Sequence, residues 1–196
     1  MIRGLGDLLS QASQALVEAG TGFALVGGLA VSARTEPRFT RDIDLVVAVD
    51  GDGQAEALVR AVCPPWTVIS ILEHDGLHRL ATARLGHQSA DTTSGPVLDL
   101  LFASSGIEAE IVAAADPIEV LPGVTVPVAT VSHLIALKML AESEERPQDR
   151  VDLHALVKVA SHRDRQEVIA AVERITARGA HRDRDLLASW HRLSGG

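Results

Sequence analysis

Two aspartates one residue apart, Asp42 and Asp44, stand at the head of an otherwise apolar run, Asp42-Ile-Asp-Leu-Val-Val-Ala-Val49. The run has strong β character, and carboxylates two apart in a strand project from one face, about 6.6 to 7 Å apart along the chain. Ile43 and Leu45 then point the other way. Two like charges on one face of so apolar a strand repel each other and call for positive compensation, which a pair of divalent cations about 4 Å apart would supply. Mg²⁺ suits such oxygen ligands and bridges them to substrate phosphates. An exposed strand start with solvated acids is the plainer alternative.

The surroundings of this pair narrow the choice. Leu5, Leu8, Leu9, Ala12 and Leu16 recur at helical spacing, so residues 5–19 read as an amphipathic helix. Phe23-Ala-Leu-Val26 reads as a buried strand, and Gly27-Gly28 lets the backbone turn sharply into a short helix from Leu29 to Ala33. Residues 34–41 contain Pro37 and read as a loop before the acidic strand, which Asp50-Gly-Asp-Gly53 closes. Residues 54–63 look helical until Pro64-Pro65, and Trp66 to Leu72 is β-rich. Residues 76–86 suit a strand or a short helix; the strand is preferred, pairing with Pro96 to Phe102 across a turn-prone stretch at 89–95. That second partner carries Asp99 inside Val97-Leu-Asp-Leu-Leu101, where a solitary carboxylate is costly unless it binds metal or takes a proton.

A helix over Ile107 to Ala115 and a hairpin over Ile118 to Val128 follow. Thr130 or Ser132 caps a helix to about Glu145, and Pro147 opens the next, which runs through Val159. Gln166 to Arg178 and His181 to Leu193 complete the helical set. The expected fold class is α+β, a mixed β-sheet flanked by helices over residues 1–129 with a helical part over 130–196.

Of 196 residues, 46% are hydrophobic and 22% charged, enough to bury a core and to exclude a disordered chain. No window approaches 18 apolar residues, and MIRGLGDLLSQASQ lacks the features of a signal peptide. Cys63 is the single cysteine, so a disulfide within the chain and a thiolate metal site are excluded, and a cytoplasmic, membrane-free setting is expected. The net charge of −8 argues against a protein that coats nucleic acid by general electrostatics. It divides unevenly: residues 1–145 hold 8 basic and 19 acidic side chains, residues 146–196 hold 10 and 7. Only two residues are lysine, against sixteen arginines, which draws notice to Lys138 within the core-like LIAL-K-ML.

Gly27-Gly28, at a strand-to-helix turn, can offer backbone N–H groups and a positive helix end to phosphate. The spacing is neither the dinucleotide fingerprint nor the P-loop. The whole order, strand, Gly-Gly, helix, Asp-x-Asp strand and a later strand Asp, resembles the nucleotidyltransferase superfamily that includes DNA polymerase β and the small antibiotic-modifying enzymes. More narrowly, VGGLAVSARTEPRFTRDIDL and LIALKMLAESEERPQDRVDLHAL resemble the AbiEii-type nucleotidyltransferases, toxins of type IV toxin–antitoxin and abortive-infection systems.

The resemblance implies transfer of a nucleoside monophosphate from an NTP to a hydroxyl, with an RNA such as the tRNA 3′ end as acceptor and a cognate antitoxin as partner. It implies two Mg²⁺ ions, replaceable by Mn²⁺, held by Asp42, Asp44 and Asp99, with Asp99 as ligand or proton acceptor. Lys138 would neutralise the triphosphate, and Asp149 would orient Lys138 or the acceptor; Asp152, one turn on, carries no assigned role. Gly27, Gly28, Arg38, Thr40 and Arg41 would face phosphate, although either arginine could instead pair with Asp42 or a neighbouring acid. A hydroxyl at the place of Thr40 would also be a target for silencing phosphorylation. Two departures stand out: Arg146-Pro-Gln148-Asp149 lacks the lysine of Arg-x-Lys-Asp, and Glu142, Glu144 and Glu145 make the preceding segment acidic. The rival readings are a nucleotidyltransferase for a small molecule such as an antibiotic, and a non-catalytic NTP-binding relative. Asp50 to Gly53 lacks the ligands of a calcium loop, His162, His181 and His191 have no metal spacing, and Ser104 and Ser105 lack hydrolase partners.

Overall fold

The computed structural model describes residues 4–74, 76–87, 95–143 and 147–195. Helix α1 (Leu5–Glu18) buries Leu8, Leu9, Ala12 and Leu16, the face its sequence spacing marks as apolar. Strand β1 (Phe23–Val26) is buried at every residue, and helix α2 (Gly27–Arg34) starts directly at the first glycine of the pair. After the loop come strand β2 (Ile43–Val47) and helix α3 (Asp52–Val62). Strands β3 (Trp66–His74), β4 (Arg79–His87) and β5 (Val97–Leu101) follow, so the ambiguous residues 76–86 contribute a strand. A short helix α4 (Glu108–Ala113) leads to the hairpin of β6 (Asp116–Leu121) and β7 (Val124–Val128). Helices α5 (Val131–Ala141), α6 (Pro147–Val159), α7 (His162–Ala177) and α8 (Leu186–Ser194) end the chain.

The seven strands form one sheet in the order β3-β4-β5-β2-β1-β7-β6. β2 pairs parallel with β5 and β1 parallel with β7, while the other four pairings are antiparallel, so the sheet is mixed as expected. Central strands are apolar on both faces because both are covered: Leu45, Val46, Val47, Leu98 and Leu100 are fully buried. Helix α2 packs on β1, β2 and β6 and also touches α5 and α6, joining the sheet to the helical half. Helix α5 is buried nearly all round, Lys138 included, and packs against α6, α7 and α8.

Several boundaries differ from the sequence reading, each for a local reason. Strand β2 begins at Ile43, so Asp42 lies just outside it, and Thr40 is not a strand residue. Helix α3 begins at Asp52 rather than 54: its carboxylate sits in the first turn, where the helix dipole favours it, and accepts from Leu80 N and Arg79 Nε. Helix α7 begins four residues earlier than expected because Ser161 and Asp164 form a reciprocal capping box. Helix α5 stops at Ala141, with Glu142 leaving helical geometry, instead of reaching Glu145. Helix α8 starts at Leu186, capped by Asp185, after the positive-φ residues Arg182 and Asp183. Thr130, rather than Ser132, caps α5 by accepting from His133 N. The turn expected at 89–95 falls mostly on residues 88–94, which lie outside the described residues, as do Glu144, Glu145 and Arg146.

Candidate active site

The pairing register sets a row across the sheet. Val26 on β1 lies opposite Asp44 on β2, Asp44 opposite Asp99 on β5, Asp99 opposite Arg84 on β4, and Arg84 opposite Ser70 on β3. Directly paired residues share a face, so Asp44, Asp99 and Arg84 stand side by side. At one end of the row the chain turns at Gly27. There a Cβ would collide with the Asp44 carboxylate, and φ is +66°, a left-handed conformation that glycine adopts without strain. The Gly-Gly corner is thus needed for Asp44 to sit against the start of α2. Gly27→Ala is expected to cost roughly 1–3 kcal/mol of stability and to lower nucleotidyl transfer about 100-fold by shifting that carboxylate. Thermal denaturation and steady-state pyrophosphate release would measure the two effects.

Crowding continues at Gly28, where a Cβ would lie 2.6 Å from Arg38 Nη2 and 3.0 Å from Thr40 Oγ1. Arg38 and Thr40 therefore face the corner. Arg41 does not: it is exposed and lies over the ring of the equally exposed Phe39, 5.3 Å from its centroid. The alternation is that of an extended loop, with even positions turned inward and odd ones outward.

Asp44 has its pKa pushed up to about 7, first by burial, then by the negative charges of Asp99 and Asp42, with Lys138 and Arg84 pulling it partly back. All four neighbours are thus within electrostatic reach of one carboxyl group. Such a raised acid marks burial beside other negative charges, which a divalent cation would relieve, and hard carboxylate oxygens suit Mg²⁺ or Mn²⁺. The residues fit a metal on that ground, since the charges of both Asp42 and Asp99 act on Asp44. Among the described residues, no three of His, Cys, Asp or Glu already converge on one cation position. Asp99 instead meets a cation of the chain's own: Arg84 grips both its oxygens, Nε to Oδ1 at 2.9 Å and Nη2 to Oδ2 at 2.7 Å.

From the helical half, Lys138 Nζ donates to Asp149 Oδ1 at 2.6 Å and contacts Asp152 Oδ2 at 2.8 Å. Arg38 grips Asp152 with two bonds of 2.7 Å each, and Gln148 adds a third donor at 3.1 Å. Asp152 is 1% exposed. Burial opposes its charge, but the bonds from Arg38, Lys138 and Gln148 outweigh that and hold its carboxyl below the ordinary value. Asp152 thus ties the loop before β2 to α5 and α6. Sequence reasoning left it without a role, although its spacing of three from Asp149 puts both on one helix face. Arg38 pairs with this distant acid and not with Asp42. Asp149 keeps Oδ2 buried and without a hydrogen-bond partner among the described residues. Arg84 was also missed.

Acidic and basic groups from both halves of the chain thus act on Asp44 beside the glycine corner. The family model "Nucleotidyl transferase AbiEii toxin, Type IV TA system" matches residues 8–193. The chain belongs to this family. It is a nucleotidyl-transfer enzyme, and its family as a rule works with divalent metal ions. Among solved structures, it is similar to ANT(2″)-Ia in complex with adenylyl-2″-tobramycin, with TM-score 0.56, 18% identity, and coverage of 89% of this chain and 98% of that one. It is also similar to an antigenic nucleotidyltransferase-like protein from Paracoccidioides brasiliensis, with TM-score 0.53, 18% identity, and coverage of 96% and 92%. At such identity these likenesses establish the fold, a nucleotidyltransferase-like one. No curated protein matches the sequence. No described helix is long and apolar enough to cross a membrane.

Proposed function

We propose that this enzyme transfers a nucleoside monophosphate from an NTP to a hydroxyl of RNA, the tRNA 3′ end, as the toxin of a type IV toxin–antitoxin pair. The reading rests on one observation above others: Asp44, wedged beside Gly27 and raised to about 7 first by burial and then by its acidic neighbours, in a chain of the AbiEii family. Asp42, Asp44 and Asp99 would hold the divalent ions, Asp99 as a third ligand or as proton acceptor, and the start of α2 with Thr40 would receive phosphate. When bound, the ions would neutralise the triphosphate and stabilise charge at the transferred phosphorus. The acceptor oxygen bonds to the α-phosphorus, the bond to pyrophosphate breaks, and the hydroxyl proton leaves toward the Asp99 side. Lys138 would add positive charge, steadied by Asp149 and Asp152, with residues 130–196 acting as the subdomain that completes the core of 1–129.

A dianion on Thr40 would lie at the corner where substrate phosphate is held and repel it. Thr40→Glu is therefore expected to lower transfer about tenfold or more with little change in melting temperature, while Thr40→Ser keeps it. Full activity in Thr40→Glu would remove this role.

The acidic net charge of −8, with Arg38 and Lys138 already paired to Asp149 and Asp152, favours a second reading in which the acceptor is a small molecule such as an antibiotic. Incubation with each labelled NTP, Mg²⁺ and total RNA, or with a panel of aminoglycosides and lincosamides, separates the two. Label on tRNA, absent with Asp44→Ala, supports the toxin reading. Label only on a drug transfers the assignment to the second.

A further inference from the structure

Arg84 occupies the row beside the acids from the side opposite Gly27, and the two faces of the site are not alike. Arg38 and Lys138 are anchored on Asp152 and Asp149, acids buried in the helical half. Arg84 is anchored on Asp99, itself one of the three acids proposed to meet the ions, and each Asp99 oxygen accepts one of its N–H bonds. Its side chain is 45% exposed and rises from β4 beside the edge strand β3. A guanidinium on an exposed stem can leave its partner at small cost, whereas one buried in a network cannot. Asp99 keeps lone pairs to the side of each bond, but its net charge is already matched by a neighbouring cation.

We propose that Arg84 is a positioning residue that holds Asp99 as a resident counter-cation, and that it competes with the divalent ion for that carboxylate. This rests on the reading above, that Asp42, Asp44 and Asp99 gather divalent ions. Two like consequences follow from charge alone. Arg84 keeps the acidic row together while no ion is bound, offsetting the repulsion between Asp44 and Asp99. It also repels an arriving cation, so that metal reaches Asp99 only as the ion pair opens, and the affinity for free metal is set lower than three carboxylates would give.

The test is the binding of Mn²⁺ alone to the full chain, read from the electron paramagnetic resonance of the free ion at low salt. Arg84→Gln is expected to bind Mn²⁺ about tenfold more tightly, and Arg84→Lys, which keeps the charge but cannot fork both oxygens, about threefold more tightly. In an Asp99→Asn background the Arg84→Gln gain should fall well below tenfold, since the arginine acts chiefly through that acid. Circular dichroism checks folding, and if Arg84→Gln does not fold, Arg84→Lys decides alone. Equal or weaker Mn²⁺ binding in the folded Arg84 variants overturns the proposal. Failure of the wider reading is separate: it would show as Asp44→Ala retaining both Mn²⁺ binding and nucleotidyl transfer.

Discussion

Asp44→Asn will lower nucleotidyl transfer by about 1,000-fold while making the metal-free protein more stable above neutral pH. The first effect follows from the loss of the carboxylate charge that would hold the divalent ions, worth several kcal/mol at the transition state. The second follows from linkage. The folded state raises the Asp44 pKa from 3.8 to about 7, so it favours the neutral acid. The stability this group contributes is fully present below pH 3.8 and is lost as pH rises through about 7. At pH 8 in EDTA the wild-type protein thus carries a buried charge that costs on the order of 3 kcal/mol, which asparagine removes. For a chain of this size that corresponds to roughly 6–12 °C in melting temperature. Mg²⁺ should restore the difference in the wild type only, and its affinity should rise with pH up to about 7 and then level, because binding displaces a proton. Melting curves at pH 5 and 8, with and without Mg²⁺, measure this directly. A variant that gains nothing in EDTA at pH 8 would contradict the electrostatic account.

Asp152→Ala is the change expected to cost most in stability. It removes the acceptor of two Arg38 bonds, one Gln148 bond and a contact of Lys138, leaving a buried lysine with Asp149 alone. Breaking a buried ion network from one side costs about 3–5 kcal/mol, because the remaining charges lose their counter-charge but not their desolvation. The melting temperature should fall by roughly 6–20 °C. The loop bearing Arg38 and Thr40 would lose its anchor to α6, so the KM for NTP should rise along with the loss of stability. The pH dependence has the opposite sign from that of Asp44. Since the folded state lowers the Asp152 pKa below 3.8, its contribution is complete above that pH and is lost as pH falls through the lower folded value. A fall of less than about 1 kcal/mol in denaturant titrations would mean that solvent, not burial, governs this network.

These two acids illustrate what the sequence makes legible. Asp44 and Asp99 stand out because each interrupts an apolar strand pattern, and a charge in such a place demands a reason. Gly27 stands out because it separates a strand from a helix ahead of the acids. Lys138 draws notice as one of two lysines, set in a core-like run, while its role and Asp149 come through family resemblance, and the 2.6 Å bond between them brings the two segments together. Asp152 offered a weaker signal, a second acid at helical spacing, whose meaning depends on Arg38 arriving from 114 residues away. Arg84 offered less. Its segment suits a strand or a short helix, with the strand preferred, and which residue of β5 it faces is a matter of register, which the run Arg79-Leu-Ala-Thr-Ala-Arg-Leu-Gly-His87 does not encode. Helix ends were misjudged where side-chain caps decide them, as at Ser161 and Asp164, although that pair was present in the sequence as Ser-x-x-Asp.

The central claim is that Asp42 and Asp44, beside the glycine corner, are the ligands of the divalent ion that the reaction uses. Crystals of the full chain grown with Mn²⁺ and a non-hydrolysable NTP analogue test it through the anomalous signal of the metal. The account predicts a peak about 2.1 Å from carboxylate oxygens of both aspartates, shared with the triphosphate. A nucleotide bound with its metal on other residues, and none on Asp42 or Asp44, would contradict it.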